Sequence, residues 1–320
     1  EIANEQPNGK GKMGYSDGRI FEGMFKDGIP NGPGRYTVPD GSYLEGNFIN
    51  YLGHGQMTLR ESDGGLYQGG FENGMKSGYG KLTIPNGMTY EGEWKYDTPN
   101  GKGKMTYPAG EIYEGEFSDG LRHGQGRLSK TRDDTEYEGD WYKDQMHGEG
   151  RLKAGLDGWE YEGEFHNNKR HGFGTVKFTN GEKYMGEWVD DVPEGDGKYW
   201  MQDGTIYYGE YKKGQIQGKG KIEFSNGDIY VGEFDNGLPH GKGKYTFSDG
   251  SVYSGEFQNG FRAGYGEYEF AEGTLWKGNW IDDKLEGEAT VIHADGKEEK
   301  VTFKDGAPAS GNYADKCTIF

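Results

Sequence analysis

The chain has 320 residues, of which 61 are glycine and only 31% are hydrophobic, and its formal net charge is −18. Low hydrophobicity with high net charge is typical of disorder, but an aromatic content of 15% indicates a folded chain whose rings pack locally. The absence of a long apolar run excludes a transmembrane helix, and the acidic charge argues against nucleic acid and anionic lipid as partners. One cysteine excludes an internal disulfide and favours a reducing, cytoplasmic setting.

A tandem repeat begins close to the start of the given sequence. Residues 7–18 are a partial first copy, and copies of 23 or 24 residues follow it. Nearly every copy contains aromatic-x-Gly-x-aromatic, with Leu44 in the first aromatic place of one copy, and Gly-x-Gly usually begins seven residues after the second aromatic. The central glycines of the first motif are Gly23, Gly46, Gly69, Gly92, Gly115, Gly139, Gly163, Gly186, Gly209, Gly232, Gly255 and Gly278.

Asp-Gly and Asn-Gly pairs such as Asp27-Gly28 separate these short segments, which is a strong β-hairpin signal. Each copy is therefore predicted to form one hairpin. Side chains alternate along a strand, so Tyr90 and Trp94 share a face with the glycine between them. The missing glycine side chains leave room there for a neighbouring ring to lie against the backbone.

The pattern Tyr-x-Gly-x-Trp/Phe followed by His-Gly-x-Gly at this period resembles the MORN repeat family (membrane occupation and recognition nexus). The histidine is present at His54, His123, His147, His171 and His240. We predict an all-β fold, an elongated single-layer antiparallel sheet of about 13 tandem hairpins forming a twisted ribbon or solenoid. The array is assigned to residues 1–303, with a degenerate last copy at about 297–311, and residues 304–320 are assigned to a C-terminal tail.

A single-layer sheet is expected to leave its aromatic face partly exposed, and exposed apolar stripes often bind partners. A partner strand or helix, or a second copy of the chain, is expected to lie along this face. The predicted partner-binding residues are Tyr90, Trp94, Tyr113, Phe117, Tyr137, Trp141, Tyr161, Phe165, Tyr184 and Trp188.

The opposite face is charged. The residue after the central glycine is acidic in eight consecutive copies, from Glu93 to Glu256, and the residue after Gly-x-Gly is usually basic, as at Lys104. These opposite charges are predicted to pair across strands as a solvated ladder, with a ligand-binding charge strip as the alternative. Met57 stands in a glycine position, where it is expected to disturb ring packing.

No motif for catalysis or metal binding stands in a suitable context, so we predict no enzymatic activity, no cofactor and no metal site. The last four residues, Cys317-Thr-Ile-Phe320, fit a prenylation signal, and lipidation is predicted at Cys317. One lipid chain anchors a protein only weakly, so a partner or a multimer would have to assist it. Membrane contact is expected only through this group.

The resemblance implies a non-catalytic structural scaffold of the cytoskeleton or of the membrane–cytoskeleton boundary. The expected location is cytoplasmic and cytoskeleton-associated, with cytoskeletal or axonemal proteins, or the chain itself, as partners. Three alternatives stay open: a radial-spoke-type component of the ciliary axoneme, an adaptor that binds a peptide along the aromatic–glycine face, and the regulatory part of an enzyme.

Overall fold

The computed structural model describes residues 7–156 and 158–309. They cluster into two units, one running to residue 158 and including 165–168, the other made of 159–164 and the residues from 169 onward. Cys317 lies outside the described residues. No helix in the described part of the chain is long and apolar enough to cross a membrane.

The first unit is an antiparallel sheet in which each strand pairs with its neighbours in sequence. Its strands are β1 (Gly9–Gly14), β2 (Ile20–Lys26), β3 (Ile29–Thr37), β4 (Tyr43–Ile49), β5 (Leu52–Arg60), β6 (Leu66–Glu72), β7 (Met75–Thr83), β8 (Thr89–Lys95), β9 (Thr98–Thr106), β10 (Glu111–Ser118), β11 (Leu121–Lys130), β12 (Thr135–Tyr142) and β13 (Gln145–Ala154). Strand β14 (Trp159–His166) is divided between the two units.

The second unit repeats this arrangement from β15 onward. Its strands are β15 (Lys169–Phe178), β16 (Lys183–Val189), β17 (Val192–Trp200), β18 (Ile206–Lys212), β19 (Gln215–Glu223), β20 (Ile229–Asp235), β21 (Leu238–Thr246), β22 (Val252–Gln258), β23 (Phe261–Glu269), β24 (Leu275–Ile281), β25 (Lys284–Ile292), β26 (Glu298–Lys304) and β27 (Ala307–Pro308). The predicted all-β fold of tandem hairpins is confirmed, while the expected elongation stays a prediction.

The hairpin turns use a backbone conformation that matches the twist of the strands. In the turn between β8 and β9, Tyr96 and Asp97 both have positive φ angles, 49° and 66°. Two consecutive positive φ angles define the type I′ turn that favours Asn, Asp and Gly. One β-bulge follows in the same hairpin, where the register shifts between Gly92 and Trp94 and Gly101 has a φ of 94°.

Met57 does not disturb the packing, contrary to the expectation from sequence. Its side chain is buried and lies over Gly46, the place that a tyrosine ring fills in other copies. The first aromatic of this copy is replaced by Leu44, so a long side chain from the second strand fills the space left by the missing ring. The two departures from the repeat compensate each other.

Candidate interaction surfaces

The ten rings of the predicted binding face are all buried, so the expectation that they form an exposed stripe is wrong. Tyr113 and Tyr161 have no exposed surface, and Trp94, the most exposed of the ten, retains 5%. Burial is possible in a single sheet because the rings interlock with one another and lie on glycine. The proposed binding role of Tyr90, Trp94, Tyr113, Phe117, Tyr137, Trp141, Tyr161, Phe165, Tyr184 and Trp188 stays a prediction.

Each tyrosine links two hairpins. The centre of the Tyr90 ring lies 5.1 Å from that of Trp94 in its own copy and 5.1 Å from that of Phe117 in the next, both edge-to-face. Tyr113 continues the chain with Phe117 at 5.1 Å. Such edge-to-face pairs contribute about 0.5–1.5 kcal/mol each beyond area burial. These rings therefore act as the core of the array and hold neighbouring copies together.

Glycine is required beneath these rings. A Cβ added at Gly103 would lie 2.5 Å from Tyr90 Oη and 2.6 Å from its Cε2, too close for a real contact. The Tyr90 hydroxyl donates a hydrogen bond to the Glu93 carbonyl at 2.8 Å, so its polar end is satisfied. Burial raises the pKa of Tyr90, which keeps the phenol neutral and able to donate.

The charged face pairs differently from the predicted ladder. Lys104 Nζ lies 2.5 Å from Glu114 Oε1, and Lys81 Nζ lies 3.1 Å from Glu91 Oε2, so the bases pair with acids that precede the central glycine. The acidic side chains that follow the central glycine contact the backbone at the β-bulge instead. Glu93 Oε1 accepts a hydrogen bond from the Lys102 amide at 3.1 Å. These acids therefore satisfy local backbone groups and do not form the cross-strand ladder.

A cation clamp, which the sequence analysis missed, joins neighbouring hairpins. The Arg122 guanidinium carbon lies 4.3 Å from the centre of the Trp141 ring. Its Nε donates to Asp144 Oδ1 at 3.0 Å, its Nη2 donates to the Asp144 carbonyl at 2.9 Å, and its backbone amide donates to Oδ1 at 3.0 Å. A guanidinium can stack flat on an aromatic ring and donate two hydrogen bonds in a fork, which a lysine ammonium cannot do. The clamp therefore ties β11 to the turn after β12.

The clamp follows a rule that is visible in the sequence. A lysine or arginine stands five residues after the second aromatic of a copy only where the next copy carries Trp-x-x-Asp. Where the next copy has Phe or Tyr instead, the cation position holds Pro, Gly, Met, Ile or Leu. The four clamps are Lys76 with Trp94 and Asp97, Arg122 with Trp141 and Asp144, Arg170 with Trp188 and Asp191, and Arg262 with Trp280 and Asp283.

Apolar side chains are exposed at the hairpin turns, and we call this set the hairpin row. Its members retain between 39% and 68% of their surface. In the first unit they are Ile49, Tyr51, Leu52, Tyr96, Leu121 and Tyr142, and in the second they are Val189, Val192, Leu238, Phe261 and Ile281. These side chains stand within or directly beside the two-residue turns, and exposed apolar side chains that recur at one kind of site indicate a contact surface.

The described residues bring together no group of three or more His, Cys, Asp or Glu side chains that could hold a metal ion. Two imidazoles, those of His147 and His166, lie with their centres 5.1 Å apart at the edge of the first unit. His147 also contacts Tyr142 at 5.7 Å between ring centres. These rings pack against one another beside the hairpin row.

Comparison with curated proteins gave no match. Among solved structures, the wild-type TCP10 domain of Danio rerio CPAP is 15% identical with a TM-score of 0.36, covering 70% of this chain and 99% of that one. The TCP domain of Drosophila melanogaster SAS-4, in complex with a proline-rich motif of Ana2, is 13% identical with a TM-score of 0.22, covering 64% and 85%. Likeness at these TM-scores carries no conclusion about function.

Comparison with protein-family models gave a match along most of the chain. The MORN repeat matches residues 4–18, 21–43, 67–89, 90–112, 113–134, 137–154, 161–183, 184–206, 207–229, 230–252, 253–275 and 276–298. The unmatched stretch from 44 to 66 is the copy that carries Leu44 and Met57. With hairpin, ring and glycine positions repeating in the same order, the chain belongs to the MORN repeat family.

Proposed function

We propose that this protein is a non-catalytic scaffold that binds other proteins through the hairpin row, and that it acts in the cytoskeleton or at the membrane–cytoskeleton boundary. MORN repeat proteins are typically non-catalytic. The observation that carries the proposal is the exposure of apolar side chains at many of the hairpin turns, where Tyr96 retains 68% and Ile281 retains 59% of its surface.

The repeat fixes the spacing between these contacts wherever neighbouring turns both carry an exposed apolar side chain. Two strands per copy, each about 4.8 Å from the next, separate equivalent positions in adjacent copies by about 10 Å. A partner with its own repeating surface, such as a cytoskeletal polymer, engages several of these positions at once. Linked weak contacts increase the overall affinity through effective concentration.

Substitution of two exposed tyrosines tests the proposal. Tyr96→Asn with Tyr142→Ser removes two rings of the hairpin row, and asparagine tolerates the positive φ at position 96. We expect this variant to move from the detergent-insoluble cytoskeletal fraction of cells to the soluble fraction, with its thermal stability unchanged.

The control is a pair of tyrosines equally exposed on the charged face. Tyr79→Ser with Tyr265→Ser removes two rings that are 61% and 56% exposed, and fractionation should not change. Wild-type protein that is soluble in such cells, or equal loss of the insoluble pool from both double variants, would contradict the proposed role of the hairpin row.

A peptide-binding adaptor is a second candidate function. An apolar cleft in the second unit favours it, because a cleft suits one short segment better than a long repeating surface. The two functions are compatible, since the hairpin row and the cleft use different residues.

A further inference from the structure

A cleft of about 390 Å³ opens on the aromatic–glycine face of the second unit. Ligand sites typically begin at about 300 Å³, so this space accommodates one large side chain with part of its backbone. Its floor is apolar and comes from three successive hairpins. The side chains that form it include Phe178, Trp188, Pro193, Met201, Tyr211 and Ile216.

The cleft lies where clamps are missing over the longest stretch. Three consecutive copies carry Pro193, Ile216 and Pro239 at the cation position, whereas each other run without a clamp covers one or two copies. The acid position of the following turns is likewise taken by glycine, at Gly214 and Gly237, and both line the cleft. No guanidinium or carboxylate stands at these positions, and Tyr211, which is 8% exposed, contributes to the lining of the cleft.

One end of the cleft is acidic. A second depression, which shares Tyr199 and Met201 with the first, is lined by Glu182 and Asp203. The Tyr199 hydroxyl donates to Glu182 Oε2 at 2.8 Å, and hydrogen bonds from Asn180 and Tyr199 hold the pKa of Glu182 below its usual range. Neither lysine nor arginine occurs among the described residues that line the two depressions. This end therefore favours a positively charged group.

We propose that the cleft binds an extended segment of a partner protein, which inserts one aromatic or aliphatic side chain against Tyr211 and Ile216 and places a lysine or arginine beside Glu182 and Asp203. This inference deepens the scaffold function and rests on its claim that the protein binds other proteins.

Grafting a clamp into the cleft tests the proposal. Pro193→Arg with Gly214→Asp introduces the cation and the acid of the native clamps, with Tyr211 in the place of their tryptophan. The backbone is suited to it, because the Gly214 amide donates to the Pro193 carbonyl at 2.9 Å, as the Asp144 amide donates to the Arg122 carbonyl at 3.0 Å. The φ of Gly214 is 79° and that of Asp144 is 67°, so aspartate fits the turn.

The chain offers a matched control for the graft. Pro99→Arg with Gly120→Asp makes the same change in the first unit, at a site with the same 2.9 Å backbone hydrogen bond. Any general effect of an added clamp on folding or charge appears in both variants. Only the first graft fills the cleft.

The probe is a library of random dodecapeptides displayed on phage and selected on the immobilised full chain. We expect the selected peptides to share an aromatic or aliphatic residue and a nearby lysine or arginine. Synthetic copies should bind the Pro193→Arg/Gly214→Asp variant at least about tenfold more weakly than the wild type and bind the control graft within about twofold. Asp203→Lys, an exposed change that leaves the apolar floor intact, should also weaken binding.

The cleft proposal and the scaffold function are contradicted by different results. Selection of no peptide, a consensus without a basic residue, or equal binding to both grafts would overturn the cleft proposal. The hairpin-row variant Tyr96→Asn/Tyr142→Ser should bind the selected peptides normally. Its fractionation in cells tests the scaffold function separately, so either claim can fail without the other.

Discussion

Replacing Arg262 with alanine tests whether the cation clamp holds neighbouring hairpins together. The Arg262 side chain is 6% exposed and lies with its guanidinium carbon 4.7 Å from the centre of the Trp280 ring. Its Nε donates to Asp283 Oδ1 at 2.9 Å and its Nη2 donates to the Asp283 carbonyl at 2.9 Å. The change removes these contacts but leaves the ring and the turn in place.

The magnitude follows from these contacts. A hydrogen bond to a charged group contributes about 1.5–3 kcal/mol, and a desolvated cation–π contact contributes about 2 kcal/mol. These terms do not add fully, because the Asp283 side chain is 43% exposed and regains water. One guanidinium nitrogen, Nη1, also lacks a hydrogen-bond partner, which reduces the benefit. We expect Arg262→Ala to lower the free energy of unfolding by about 3 kcal/mol.

Urea unfolding combined with amide hydrogen exchange measures this effect. In an array stabilised by neighbour contacts, the loss should be concentrated in β23 and β24. Arg262→Lys keeps the charge but loses the forked geometry, so it should cause about half the loss. Arg132→Ala, which removes an exposed arginine from an inter-repeat turn, should change stability by less than about 0.5 kcal/mol. A loss below about 1 kcal/mol for Arg262→Ala would refute the clamp as a stabilising device.

Three further predictions follow from the rings, the phenols and the tail. Gly103→Ala should destabilise the array by several kcal/mol because its methyl group collides with Tyr90, while Gly14→Ala, which meets no atom within 4 Å, should change urea unfolding little. Burial and a hydrogen bond to a glutamate raise the pKa of Tyr199 to about 12. Its contribution to stability is full below about pH 10 and is lost as the pH rises towards 12. The tyrosinate absorbance of Tyr199→Phe and wild type should therefore coincide near pH 10 and diverge only as the pH approaches 12. If Cys317 is prenylated, Cys317→Ser should move the protein out of the membrane fraction, and an unmodified Cys317 by intact mass would contradict this.

The strand pairing was predictable from the sequence because glycine and aromatic residues recur at fixed positions, and these positions define which residues pair across strands. Glycine and aromatic residues alternate with charged ones, so the face of each side chain follows from its position. Gly92 pairs with Gly103, as the shared aromatic–glycine face requires. The type I′ turns were also predictable, since Asp-Gly and Asn-Gly tolerate two positive φ angles.

Burial of the rings was not predictable from alternation alone. Alternation assigns Tyr90 to a face but does not show that Phe117 of the next copy closes over it. The prediction of the charge pairs was wrong for a related reason. Acids occur on both sides of the central glycine. Glu91 lies directly opposite Lys81 in the regular β7–β8 register, whereas the β-bulge between β8 and β9 brings Glu93 to the Lys102 amide.

The clamp was predictable, but only by comparing copies of the repeat with one another. Within one copy, Arg122 is an ordinary charged residue near a turn, and Asp144 is an ordinary turn residue in the next. The signal is that tryptophan, the aspartate three residues later and the cation of the preceding copy always occur together. Such correlation between copies is what a contact between neighbouring repeats produces.

The distribution of clamps links stability to binding in this array. Each arginine clamp covers a guanidinium and a ring face and uses them, with a partly exposed carboxylate, to join two hairpins. The stretch from Pro193 to Pro239 has no cation at these positions, so its hairpins are joined by strand pairing and ring packing without a clamp, and a cleft opens there. Local opening requires less free energy where fewer contacts join neighbouring segments. The cleft that we propose as the site for a partner segment therefore lies in the longest run of copies that no clamp joins to their neighbours.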